Sequence, residues 1–292
     1  MNTLTQIIVS GLTLGAMYAI STVSLSLIWG ALNMLNMAQG AFLTFGGYAA
    51  YAAMSAAGLP PIAAIAASVG FGAILGVLIY GGIVRHMLGT ENFEVNIIIA
   101  TVGIATVLEN ALQKIFGAYP IRQPMTVEGG FFVGGTHIPY NSVVIVVVSI
   151  ALMLLLAALL ARTRMGRAIR AVSQNREAAE LMGVPVHLVY AQVLALAGAL
   201  SAASGIMLST ITTLAPTMGY DPMLKAFIIC VIAGLGNVRG ALYAAFILGI
   251  FEAFVQFSIG VRFAFPAMLL VVIATLIWRP SGLFGRKKVA RL

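Results

Sequence analysis

The polar residues that interrupt the long apolar runs of this chain are few, and their types suit holding a small solute better than breaking a bond. Asn33, Asn36 and Gln39 stand together between the first two apolar segments, beside Gly40, Gly46 and Gly47. Carboxamides next to glycine-thinned backbone can line a path and touch amide or ammonium groups of a solute. Gly234, Gly236 and Gly240 mark an expected helix break, where unpaired peptide groups can meet a ligand. Capping or helix packing would account for either cluster as well. Ionisable groups within apolar runs are costly in lipid and usually face an interior or an interface. The candidates are Glu94, Glu109, Lys114, Lys225 and Glu252. Glu109 and Lys114 sit near one end of their run, where long side chains snorkel to the interface. Glu252 lies deeper, as a structural or path-lining carboxylate.

Enzymatic chemistry finds no support. The G-x4-G-K-[ST] signature of a phosphate-binding loop is missing. His86, His137 and His187 are scattered over expected turns, which argues against metal or haem, and no serine, histidine and acid come together in the pattern of a hydrolase. A proton relay would need a chain of intramembrane acids that cannot be assembled.

The elements that must position these residues follow from composition. Of 292 residues, 61% are hydrophobic and only 8% charged, with a mean hydropathy of +1.05. Soluble domains carry roughly 25% charged residues, so most of this surface must face lipid. Backbone groups in lipid must bond within their own segment or within a closed barrel. Barrel strands alternate polar and apolar residues, whereas Val143 to Leu160 is apolar throughout. The fold class expected is therefore an all-α polytopic membrane bundle of about 8–10 spans, forming one transmembrane domain over residues 1–292.

Apolar windows place spans near 7–30, 38–57, 61–84, 95–116, 141–161, 188–211, 223–236, 240–259 and 263–278. The seventh is short and closes on Gly234-Leu235-Gly236, so a half-helix or re-entrant element is expected there. Residues 117–140, punctuated by Pro120, Pro124, Gly129, Gly130, Gly134, Gly135 and Pro139, form the longest connection on one side, either a small β-hairpin or a plain loop. Gly11-x3-Gly15, Gly72-x3-Gly76 and Ser201-x3-Gly205 put small residues on single helix faces, a sign of close packing in lipid.

The net charge of +8 does not point to nucleic acid. Ten of the 16 basic residues lie in two places that flank spans: Arg162, Arg164, Arg167, Arg170 and Arg176, then Arg279, Arg286, Lys287, Lys288 and Arg291. The cytoplasmic bias of Lys and Arg orients the 162–187 connection and the 279–292 tail inward, and the span count places the N-terminus and the 117–140 loop outside. The opening MNTLTQ lacks a basic region, so a cleaved leader is not expected. Cys230 is the single cysteine, lies in an apolar run and has no partner for a disulfide.

The 162–191 segment reads as an Arg-rich stretch and a short amphipathic helix, with Ala178, Leu181 and Met182 on one side, ended by Gly183 and Pro185. Glu177-Ala178-Ala179-x3-Gly183 resembles the E-A-A-x3-G loop of ABC importer permeases. Gly11-Leu12-Thr13-Leu14-Gly15-Ala16-Met17-Tyr18-Ala19, Asn36-Met37-Ala38-Gln39-Gly40-Ala41-Phe42, and Lys225-Ala226-Phe227 through Gly240-Ala241 are similar, in order and spacing, to segments of the branched-chain amino acid permease family. Gln39 stands where that family often has histidine.

The resemblance implies a permease subunit for hydrophobic amino acids at the bacterial inner membrane. Glu177, Ala178, Ala179 and Gly183 would form the coupling helix. The residues placed on a solute path are Asn33, Asn36, Gln39, Gly40, Gly234, Gly236 and Glu252. The implied partners are a second permease, two cytoplasmic ATPases that bind ATP and Mg, and a periplasmic solute-binding protein; this chain itself would hold no cofactor. Urea, short amides or other small solutes carried by the same architecture, and a self-contained secondary transporter, are the alternatives.

Overall fold

A computed structural model describes residues 2–125, 129–133 and 136–285. Arg286, Lys287, Lys288 and Arg291 of the expected basic tail, and Gly134 and Gly135 of the long connection, lie outside the described residues. The chain folds as a polytopic all-α bundle. Among the described residues, seven helical stretches are long and apolar enough to cross a membrane: α1 (Asn2–Leu32), α3 (Pro61–Ile79) continuing through a π-turn into α4 (Arg85–Met87), α5 (Phe93–Phe116), α6 (Tyr140–Arg162), α9 (Val186–Ile211), α11 (Val238–Ser258) and α12 (Ala264–Trp278). The last begins with a 3-10 turn at Val261–Phe263.

Two further apolar helices are shorter: α2 (Gln39–Ser55) has 17 residues and α10 (Tyr220–Ala233) has 14. At 1.5 Å per residue these reach about 25 and about 21 Å, less than the ~30 Å hydrocarbon core. The sequence marks only the second as short, because apolar Ala56 and Ala57 extend the 38–57 window past the helix end at Ser55. Two amphipathic helices, α7 (Arg164–Gln174) and α8 (Arg176–Leu181), lie between α6 and α9 at what we call the basic end. At the opposite end the long connection forms an antiparallel hairpin of β1 (Gly130–Val133) and β2 (Thr136–Pro139).

Glycine sets the closest helix crossings. The α1 helix packs most extensively on α11, and α9 on α3 and α2. A Cβ on Gly15 would meet Phe246 Cα at 2.9 Å, one on Gly72 would meet Gly198 O at 2.5 Å, and one on Gly46 would collide with Ala202. Lipid supplies no hydrophobic force between helices, so such close approach, with its dispersion gain, is what holds the crossing together. Large side chains fill the remaining space, with Phe42, Ile97 and Leu194 buried toward the basic end and Ile20, Ile229 and Leu248 farther along.

Candidate functional site

The two short helices begin inside the bundle and meet there. After α1 the chain leaves helical geometry at Asn33 (φ +50°) and doubles back, with Met37 N–H donating to Thr101 Oγ1 at 3.1 Å. Asn36 is buried and its Oδ1 accepts from Ala38 N at 3.0 Å, which closes the turn into α2. Gln39 then lies fully buried beside Ser24, eight residues or about 12 Å back from the end of α1. Its Nε2 donates to Ser24 Oγ at 2.7 Å and also to Ser201 Oγ. From the other side, residues 212–219 re-enter the bundle, paired to the segment after α5 through Ile121 and Leu214. Gly219 N–H donates to Thr44 Oγ1 at 3.2 Å, and a Cβ on Gly40 would meet Gly219 O at 2.8 Å. Contact this close leaves room for glycine alone at both positions. The first N–H groups of a helix have no intrahelical partner, so two helix starts within a bundle need such side-chain acceptors.

The carboxamides of Asn36 and Gln39 thus contact the protein itself. Of the serines that receive Gln39, the sequence singles out Ser201 only as a small packing residue and Ser24 not at all, although a signal is there. Ser21 and Ser24 on α1 share a three-residue spacing with Ser201 and Ser204 on α9, and Ser21 and Ser204 bond across the crossing at 2.7 Å.

Glu252 on α11 is 1% exposed and pairs with Lys225 Nζ on α10 at 2.8 Å. The same ammonium reaches Asp221 at 2.9 Å and Tyr18 OH at 3.1 Å, and Gln256 Nε2 donates to Glu252 at 3.1 Å. A paired carboxylate with these contacts ties α1, α10 and α11 together, and its contacts lie within the chain.

Gly234 and Gly236 adopt φ of +93° and +82°. The reading of free backbone at this break needs correction at Gly234. Residues 279–285 fold back over it, with Leu283 N–H donating to Ile232 O at 2.7 Å and Phe284 N–H to Ala233 O at 3.2 Å. The last carbonyls of α10, orphaned by the helix end, are therefore taken by the chain's own C-terminal segment. Asn237 caps α11 through Gly240 N at 3.0 Å and holds Phe284 O at 2.8 Å. Gly236 packs on Gly30 and, with Asn33, Trp29, Glu94, Arg170 and Arg239, lines a cavity of about 800 Å³ that opens at the basic end.

At that end Thr163 caps α7 and Asn175 caps α8, each side chain accepting from a backbone N–H two or three residues into the helix. On α7, Ile169 and Val172 are buried. On α8, Ala179 is buried, whereas Glu177 and Ala178 are exposed. Only one alanine of the pair thus faces away from the bundle, because Ala179 seats the helix on its own protein. Leu181 and Met182 are 89% and 84% exposed. Gly183 (φ +79°) turns the chain toward α9 with open space around its Cα. Arg176 stacks 5.8 Å from the Tyr190 ring and fixes α8 against α9.

Broken helices meeting inside a polytopic bundle are a feature of membrane transport proteins. The family described as "Branched-chain amino acid transport system / permease component" matches residues 7–279, and the chain belongs to that family. The high-affinity branched-chain amino acid transport system permease protein BraD of Pseudomonas aeruginosa is 27% identical, covering 98% of this chain and 97% of that protein. Its counterpart LivH of Escherichia coli is 26% identical, covering 97% and 96%. The fructose import permease protein FrcC of Rhizobium meliloti is 27% identical over 75% of this chain and 62% of its own length. No solved structure matches.

Proposed function

We propose that this chain is one half of the membrane pore of an ATP-driven importer of branched-chain or other hydrophobic amino acids. The observation that carries the reading is the family match over residues 7–279, with full-length relatives that are branched-chain amino acid permeases. The basic end faces the cytoplasm, in keeping with the bias of Lys and Arg. The N-terminus and the β-hairpin of the 117–140 connection then lie in the periplasm, and the C-terminus in the cytoplasm.

Glu177, Ala178, Leu181 and Met182 form the knob that enters a groove of an ATPase subunit, and Gly183 is the pivot behind it. Exposed Leu and Met side by side are poor company for water and good contacts for an apolar groove. Two ATPases hold ATP and Mg. A periplasmic binding protein delivers the solute, and a second permease completes the pore. Asn33 and Gly236 lie on the inner part of the solute path, where they border the cavity. Gln39, Asn36 and Gly40 hold the broken-helix junction beside that path, and Glu252 holds α11 against α10.

The test is uptake by proteoliposomes containing the complete system and binding protein, with ATP inside. Leucine, isoleucine or valine uptake that requires ATP supports the reading. Uptake of fructose instead, or none of these amino acids, overturns the substrate assignment.

A further inference from the structure

Most spans turn apolar faces outward. Exposed positions include Ile62, Ile74 and Leu78 on α3, Val147 and Leu154 on α6, and Ile273 and Ile277 on α12. These faces suit lipid. The half of α5 toward the hairpin end differs, because Gly103, Thr106, Asn110 and Gln113 are all exposed there. At 100° per residue they fall within an arc of about 80° on the helix. Thr106 Oγ1 donates to Val102 O at 3.0 Å and Asn110 Nδ2 to Thr106 O at 2.7 Å, which leaves the Asn110 amide oxygen facing outward.

This polar surface continues onto α10. Glu109, beside the stripe, accepts a hydrogen bond from Tyr220 OH at 2.7 Å. Tyr220 and Leu224 in the first two turns of α10 are exposed, and the Asp221 side chain is 68% exposed. The surface starts inside its helix rather than at its last turn. Asn110 is six residues, or about 9 Å, from the end of α5, and α10 starts inside the bundle at the end of the re-entrant 212–219 segment. A carboxylate and carboxamides exposed at such depth are costly against hydrocarbon and normally face an interior or a water-filled cavity.

We infer that this half of α5 and the first two turns of α10 form one wall of the water-filled translocation path, faced by a second permease subunit of the same fold. The inference rests on the importer reading above and deepens it. Asp221 is paired with Lys225, whereas Glu109 places a carboxylate beside the wall that can meet the ammonium group of a zwitterionic solute. Val107 and Leu224 supply apolar surface for its side chain.

Cys230 is the one native cysteine and is buried, so single introduced cysteines can be read against a quiet background. The complete transporter is reconstituted in vesicles with T106C, N110C, V147C on the lipid face of α6, or Y119C in the connection after α5. A charged, membrane-impermeant thiol reagent is then applied on both sides. T106C and N110C are expected to react within about tenfold of Y119C and at least about tenfold faster than V147C, with rates that change on trapping the ATPases with vanadate. Reaction as slow as V147C in a sample that still transports overturns the path assignment and leaves the importer reading standing. A chain that reconstitutes active without ATPases instead overturns the importer reading, whatever the labelling rates.

Discussion

Lys225 Nζ on α10 lies 2.8 Å from Glu252 Oε1 on α11, with the lysine side chain 12% and the glutamate 1% exposed. Each charge is tolerated at this depth because the other is there. Tyr18 and Asp221 take further donors of the lysine, and Gln256 donates to the same Glu252 oxygen, while Glu252 Oε2 is left without a partner among the described residues. Removing one partner leaves the other buried and unpaired, a loss of about 3–5 kcal/mol. K225M should therefore lower the thermal midpoint of the purified complex sharply, and K225M combined with E252M should recover most of it. Equal midpoints for K225M and the wild type would contradict a structural ion pair.

Gln39 poses a different case. Its amide bridges two serines on two helices, so Q39A removes both of those bonds and empties the junction, although each serine still donates to Ala197 O. The expected cost is about 1–3 kcal/mol, read as a lower unfolding midpoint. Stability unchanged but selectivity altered would move Gln39 from the junction to the solute path.

The α3–α9 crossing depends on one small residue facing another. Gly72 has no room for a methyl group, whereas Gly70, two positions earlier, has nothing within 4 Å of where a Cβ would be. G72A should reduce assembled protein in the membrane, and G70A should leave it unchanged. Equal yields would mean the crossing relaxes freely.

Gly183 holds a left-handed conformation that costs other residues about 1–2 kcal/mol. In open space that strain re-aims α8 without unfolding the bundle. G183V is expected to leave ATP hydrolysis running while uptake falls severalfold, and L181A with M182A to weaken retention of the ATPases. Both activities remaining in proportion in G183V would remove the pivot role.

Much of the bundle was legible because hydropathy reports lipid contact directly. The expected windows 61–84, 95–116, 141–161, 188–211 and 240–259 fall within a few residues of α3 to α4, α5, α6, α9 and α11. The short α10 was legible from Gly234-Leu235-Gly236. What stayed hidden depends on contacts between distant segments. Nothing local says that Leu283 and Phe284 close the end of α10, or that the Gln39 amide finds Ser201, which is 162 residues away. Polar residues near glycine look alike in sequence whether they face a solute or one another. Local capping did show through, as the turn at Gly183 illustrates, because φ above zero and the glycine that permits it sit at one residue.

The account stands most directly on what this chain assembles with. Tagged protein is purified in mild detergent from its native host, and the co-purifying chains are identified by mass. Two ATPase chains and a second permease are the result expected, with the ATPases lost and the second permease retained when Leu181 and Met182 are replaced by alanine. Recovery of this chain alone, still active in ion-driven uptake, would contradict the importer and make it a self-contained transporter.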